Sequence, residues 1–226
     1  MREMPAIQDE VGADRAALRV IGALRVLPVL TINAASNARP LARALKMAGL
    51  PCAEVTFRTA AAADAIREMA ADPDMTVGAG TILTVEQVEA AAEAGAGFVV
   101  SPGFSSRVVA ACLERGLPVI PGIATATDIQ MALDAGITLV KLFPAEAIGG
   151  PKMLHALSAP FPMVRFIPTG GIDASNITDY LRHPAVVAVG GSWMATPQLI
   201  DEGKFDEITT RTADAVARAR MATHVA

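Results

Sequence analysis

Three ionisable side chains stand inside otherwise apolar, strand-like runs, and these are where chemistry is expected. In Glu54-Val55-Thr56-Phe57-Arg58, the side chains of an extended chain alternate between two faces. Val55 and Phe57 then share the face that packs on helices. Glu54, Thr56 and Arg58 share the other, so an acid, a hydroxyl and a base point the same way. Buried ion pairs contribute little net stability, so three polar groups on an inner face point to function. In Leu139-Val140-Lys141-Leu142-Phe143-Pro144 a single lysine interrupts an apolar strand, and lysine is seldom buried without a partner or a task. Alternation puts Lys141 inside with Leu139 and Phe143, and Val140 and Leu142 outside. Its bland role is an ion pair with Glu54; its chemical role is that of a nucleophile. Burial disfavours the charged form of an amine, and a nearby cation such as Arg58 does so further. A neutral amine attacks a ketone to form a Schiff base, which then serves as an electron sink. Glu54 is the group expected to move protons.

Two glycine pairs follow later runs, in Pro168-Thr169-Gly170-Gly171-Ile172-Asp173 and Val189-Gly190-Gly191-Ser192-Trp193. Glycine lets backbone N–H groups approach an anion closely, and many parallel barrels bind phosphate with the loops after strands seven and eight. Thr81, closing Val77-Gly78-Ala79-Gly80-Thr81, offers a hydroxyl to a substrate. Ser101-Pro102-Gly103 and Pro121-Gly122-Ile123 read as loop geometry, and Trp193 as packing. Asp128, Asp134, Glu114, Arg107 and Arg115 fall on helical patterns and read as solvated. The histidines, His155, His183 and His224, show no metal-binding spacing, so no metal site is expected. Cys52 and Cys112 are isolated and read as buried thiols in a reducing compartment.

These residues need a frame to converge. Strand-like runs occur at 26–32, 53–58, 76–82, 97–101, 118–123, 139–143, 164–168 and 186–189. Helical patterns lie between them at 35–48, 60–71, 85–94, 106–115 and 127–135, with a last helix at 205–221. Alternating strands and helices imply parallel strands with right-handed crossovers. Eight such units imply an α/β fold, a closed (β/α)8 TIM barrel whose functional mouth lies at the C-terminal strand ends. An open doubly wound sheet is the alternative. Gly49, Gly95, Gly116 and Gly136 each follow a helical stretch, where a left-handed C-terminal cap is needed. Thr84, and Asp173 or Ser175, read as N-caps. An extra N-terminal helix over 13–23 is expected at the bottom of the barrel. One domain is expected over residues 1–226, with a flexible extension over 1–13.

Composition fits this frame. Of the 226 residues, 52% are hydrophobic, only 4% aromatic and 19% charged, with a net charge of -4. A disordered chain would be apolar-poor and highly charged, and a general nucleic-acid binder would be basic. Core volume is expected from Ala, Val, Ile and Leu rather than from rings. Mean hydropathy is +0.41, yet no run of about 18 apolar residues escapes interruption, and residues 1–14 do not resemble a secretory signal. A cytoplasmic location with no membrane or nucleic-acid partner is expected.

The runs Glu54-Val55-Thr56-Phe57-Arg58-Thr59, Val77-Gly78-Ala79-Gly80-Thr81, Ser101-Pro102-Gly103, Pro121-Gly122-Ile123, Lys141-Leu142-Phe143-Pro144-Ala145-Glu146, Pro168-Thr169-Gly170-Gly171-Ile172 and Gly190-Gly191-Ser192-Trp193 together resemble the 2-keto-3-deoxy-6-phosphogluconate (KDPG) aldolases of the KHG/KDPG aldolase family. The similarity runs from about Val26 to the end. It implies a homotrimer of (β/α)8 barrels and a Schiff-base aldolase that needs no cofactor. The implied reaction is reversible cleavage of the phosphorylated keto acid to pyruvate and D-glyceraldehyde 3-phosphate in the Entner–Doudoroff pathway. Cleavage of 4-hydroxy-2-oxoglutarate to pyruvate and glyoxylate is implied as a side activity. By the resemblance, Lys141 is the Schiff-base lysine and Glu54 the general acid/base. Arg58 and Thr81 hold the pyruvate carboxylate, Thr169 faces the substrate hydroxyls, and Gly170, Gly171, Gly191 and Ser192 bind phosphate. Thr169 favours the gluconate substrate, since galactonate-type relatives tend to carry Val there. Ala124 and Leu142 depart from the residues relatives often have.

Three other functions compete: a galactonate-type aldolase, a phosphosugar isomerase or epimerase using Glu54 as base, and a non-catalytic phosphometabolite sensor. The last gives no reason for a lysine in that strand.

Overall fold

A computed structural model describes residues 16–222; the extension expected over 1–13 lies outside them. The chain alternates short strands with helices. Helix α1 (Ala16–Leu24) precedes β1 (Val26–Leu30), and a 3-10 turn (Ala35–Asn37) leads into α2 (Ala38–Met47). There follow β2 (Cys52–Thr56), α3 (Ala62–Ala70), β3 (Thr76–Gly80), α4 (Val85–Glu93), β4 (Val99–Val100) and α5 (Ser106–Glu114). Next come β5 (Val119–Ile120), β6 (Gly122–Ile123), α6 (Ala126–Asp134), β7 (Leu139–Leu142), α7 (Gly150–Ser158) and β8 (Arg165–Pro168). The chain ends in α8 (Ile177–Leu181), β9 (Val189–Gly191), α9 (Pro197–Asp201) and α10 (Phe205–Met221).

Strand pairing is parallel and the sheet curls. One run is ordered β5-β4-β3-β2-β1-β9 and another β6-β7-β8. Pro121 alone separates β5 from β6; it has no N–H for a ladder, but its carbonyl accepts from Lys141 N–H at 2.9 Å. Isolated parallel bridges, Phe166↔Val186 and Thr169↔Gly190, connect β8 to the stretch around β9. The result is an α/β fold with a curled parallel sheet jacketed by helices.

Most strands are shorter than the apolar runs. The run at 53–58 is strand only to Thr56, and the run at 97–101 only at Val99–Val100. The last strand is Val189–Gly191 rather than 186–189; it pairs with Val26, Leu27 and Pro28, leaving Val186 a single bridge. Hydrophobicity continues past a strand's end wherever a loop stays buried, so it marks burial better than pairing.

Caps divide helices as expected in some places and not in others. Gly49, Gly95, Gly116 and Gly136 have φ of 79°, 87°, 65° and 74°, the left-handed caps their positions required. Thr84 Oγ1 accepts from Gln87 N–H. Asp173 and Ser175 do not cap α8, whose N-cap is Asn176. Asp173 instead accepts from the N–H and hydroxyl of Ser175, and Asn176 bonds the Asp173 N–H and the Gly171 carbonyl. These short local bonds outcompete a cap and knit the loop after β8. Asp128 is no idle solvated acid: it closes a capping box with Thr125 at the start of α6.

The core is continuous. Its bulk is Ala, Val, Ile and Leu, as expected, but its largest fully buried side chains are the rings of Tyr180, Phe98 and Phe166, so rings contribute more than their number suggests. Phe98 fits because β3 has Gly78 beside it; a Cβ there would lie 2.3 Å from the ring. Helix α1 buries Ile21 and packs near the N-terminal approaches to β4 and β9, at Gly97 and Val187. Among the described residues no helix is long and apolar enough to cross a membrane.

Candidate active site

Lys141 and Glu54 meet. Lys141 Nζ donates to Glu54 Oε1 at 3.1 Å, across 87 residues of sequence. The two residues are 5% and 1% exposed, so this is an ion pair withdrawn from water. Their strands, β7 and β2, are not sheet neighbours; the contact crosses the interior of the curl. The Phe143 ring centroid is 5.4 Å from Nζ, consistent with the alternation that put Lys141 and Phe143 on one face.

The carboxylate has room only because β3 carries glycine. A Cβ on Gly80 would lie 2.2 Å from Glu54 Oε1. Gly80 was not among the expected site residues, though its signal was present: alternation puts Gly78 and Gly80 on one face, where side chains are expected. Thr81 follows directly, half-buried, with φ of 57°. A β-branched residue in that region carries strain on the order of 1 kcal/mol, and such strain gathers at functional sites.

Thr56 and Arg58 differ from the simple alternation. Thr56 lies inside, but its hydroxyl is engaged by β1: it donates to the Leu30 carbonyl at 2.9 Å and lies 3.0 Å from Thr31 Oγ1. Arg58 is exposed in the turn beyond β2. After Phe57 N–H bonds Gly80 carbonyl, the chain leaves the sheet toward α3, and the period-2 rule ends. Arg58 makes no ion pair among the described residues, which leaves its guanidinium available to an anion.

The two glycine pairs lie side by side through the Thr169↔Gly190 bridge. Thr169 is buried, and a Cβ on Gly190 would fall 2.2 Å from its Oγ1. Gly170 and Gly171 have φ of 99° and 78°, a conformation that suits glycine. Gly171 and Ser192 are exposed, Gly170 is half-buried and Gly191 buried. Trp193 packs over Gly191, where a Cβ would lie 1.9 Å from its ring, as the packing role required. Ser101 Oγ donates to the Gly103 carbonyl, which is loop geometry.

His155 and His183 meet edge-on with centroids 5.9 Å apart, while His224 lies outside the described residues. His183 Nδ1 accepts from Ala185 N–H, and its Nε2 is 3.3 Å from Ser158 Oγ. No group of three or more His, Cys, Asp or Glu able to hold a metal ion occurs among the described residues. Cys52 and Cys112 are buried and free; burial pushes both thiols upward, Cys112 to about 11.

Two outcomes are expected. Gly80→Ala displaces the Glu54 carboxylate, and a crystal structure of the variant shows it out of hydrogen-bond reach of Lys141; an unmoved pair refutes the packing argument. Burial, and then His155, lower the His183 pKa below the usual 6.5. The unfolded chain therefore takes up protons first as pH falls through 6.5, so the stability present above that pH is lost toward the lower folded-state value. The melting temperature falls across that window, and less so in His183→Gln; equal slopes refute it.

Comparison with known proteins accords with this geometry. The family model described as "Aldolase: KDPG and KHG aldolase" matches residues 18–211. The chain is 54% identical over 187 residues to the 2-dehydro-3-deoxy-phosphogluconate aldolase of Treponema pallidum (strain Nichols), covering 82% of this chain and 89% of that one. It is similar to the crystal structure of the Zymomonas mobilis ZM4 KDPG aldolase with 3-phosphoglycerate (TM-score 0.84, 38% identity, 91% and 97% of the two chains). It is equally similar to the Legionella pneumophila KDPG aldolase with pyruvate captured as a covalent carbinolamine (TM-score 0.84, 39% identity, 88% and 97%). With the family model matched over most of the chain and a relative 54% identical over 82% of it, the chain belongs to the KDPG and KHG aldolase family.

Proposed function

We propose that the chain cleaves 2-keto-3-deoxy-6-phosphogluconate reversibly to pyruvate and D-glyceraldehyde 3-phosphate through a Schiff base on Lys141. The observation that carries the reading is the buried Lys141–Glu54 pair at 3.1 Å. Family membership makes the chain an aldolase, a carbon–carbon lyase.

The chemistry follows from the pair. Glu54 takes a proton from Nζ, and the neutral amine attacks the C2 ketone. The carbinolamine accepts a proton from Glu54 on its oxygen and loses water, giving an iminium. Glu54 then removes the C4 hydroxyl proton. The C3–C4 bond breaks, its electrons flow into the iminium to form an enamine, and the aldehyde leaves. Protonation at C3 by Glu54 and hydrolysis by water release pyruvate and free lysine. No step calls for a cofactor.

The remaining residues bind. Arg58 and Thr81 hold the pyruvate carboxylate, Thr169 faces the substrate hydroxyls, and Gly170, Gly171, Gly191 and Ser192 take the phosphate. An unpaired guanidinium at the mouth and two adjacent left-handed glycines support these assignments. With β5 and β6 counted as one strand broken at Pro121, there are eight strand positions among the described residues. This supports reading the curl as a closed (β/α)8 barrel, with α1 as its extra N-terminal helix and one domain over 1–226. The same reading extends to a cytoplasmic homotrimer. Because 4-hydroxy-2-oxoglutarate shares the reacting keto acid, it is a second substrate.

Borohydride with pyruvate is expected to add a pyruvyl mass at Lys141 and none in Lys141→Met; an adduct elsewhere, or activity retained in Lys141→Met, defeats the reading. Gly80→Ala is expected to lower kcat/KM about a hundredfold, the weight of a displaced acid/base. Thr169→Val is expected to lower kcat/KM for the gluconate more than for the galactonate phosphosugar; an unchanged ratio denies Thr169 its part in specificity.

A further inference from the structure

Exposed Glu146 and buried Tyr180 form a part-buried bond that the reaction does not use. Tyr180 is the only tyrosine in the chain and is fully buried. Its hydroxyl donates to Glu146 Oε1, and burial, then this bond, push the phenol pKa upward. Glu146 stands in the loop after β7, five residues beyond Lys141, and Tyr180 in α8, after the Gly170–Gly171 turn. The pair sits at the start of α7: a Cβ on Gly150 would lie 3.3 Å from Glu146 Oε1 and 3.4 Å from Tyr180 Oη. A helix N-terminus favours a carboxylate.

The same glutamate grips the glycine turn. Glu146 N–H donates to the Gly170 carbonyl at 3.0 Å, and Ala145 N–H to the Thr169 carbonyl at 2.8 Å. Gly171 packs on its side chain, where a Cβ would be 2.6 Å from Glu146 Cβ. A trans peptide points its C=O and the following N–H in opposite directions. With both carbonyls drawn toward the β7 loop, the N–H groups of Gly170 and Gly171 are turned away from it.

From this geometry we infer that Glu146 and Tyr180 are positioning residues: their bond holds the backbone of Gly170–Gly171 in the orientation that binds the phosphate end of the substrate. The inference rests on the reading that these glycines take the phosphate. Neither side chain touches the reacting atoms, so the effect falls on affinity for phosphorylated substrate and spares the imine chemistry. Binding strength here comes from donors fixed in advance, not from a charged side chain.

The test compares Tyr180→Phe, which keeps the buried ring, with Glu146→Ala and with Glu146→Gln, which keeps an acceptor for the phenol. Tyr180→Phe and Glu146→Ala are expected to raise KM for the phosphorylated keto acid about tenfold with kcat near wild type. Their KM for 4-hydroxy-2-oxoglutarate, which has no phosphate, and their pyruvate adduct at Lys141 stay within about twofold of wild type. Glu146→Gln restores most of the affinity. Inorganic phosphate, titrated against the fluorescence of the single tryptophan, Trp193, binds correspondingly more weakly to the two disruptive variants. Equal losses on both keto acids, or unchanged KM and phosphate affinity, overturn the inference. A wild-type protein that turns over neither keto acid overturns the functional reading alone. The phosphate titration then decides the positioning role: weaker binding in the variants upholds it, and equal binding removes it.

Discussion

One buried charge pair disciplines the whole molecule. Neither Lys141 nor Glu54 is tolerable alone out of water, and stripping a buried charge of its partner costs about 3–5 kcal/mol. The two strands that carry them must stay within one hydrogen bond of each other across the interior. Only a curled sheet lets two strands that are not sheet neighbours meet in this way. It also explains why strands, usually poor places for glycine, keep it here. Gly80 makes the volume that Glu54 occupies, and Gly78 the volume that Phe98 occupies. The local cost of glycine in a strand is about 0.5–1 kcal/mol, small against an unpaired buried charge.

Around this centre the mouth is held by backbone geometry more than by charge. Thr81 and the glycines at 170 and 171 have positive φ, and the Asp173–Ser175–Asn176 bonds stiffen the loop beyond them. A phosphate can be met by oriented N–H groups on such a scaffold without a basic surface. An acidic chain with a net charge of -4 is therefore compatible with an anionic substrate.

What could be read from sequence alone divides along a physical line. Features set within a few residues were legible. Strand alternation placed Lys141 and Glu54, four glycines marked helix ends, and Thr84 its helix start. Alternation misled at Arg58, because a loop can remain apolar after the ladder stops. Asp173 and Ser175 were read as caps because cap and turn use the same residue types; which wins depends on the backbone already present. Glu146 and Tyr180, 34 residues apart, carry no mutual signal in the chain, since only the fold brings them together. Core volume was expected from aliphatic residues rather than from rings, and these do supply its bulk, but Tyr180, Phe98 and Phe166 are its largest fully buried side chains.

The close approach of Thr169 to Gly190 has a consequence for how such a site changes over time. A Cβ at 190 and the branched side chain at 169 compete for one space, with 2.2 Å between them. A side chain at 190 therefore needs residue 169 to turn away or shrink, so a lineage or laboratory library that changes one position is expected to change the other with it.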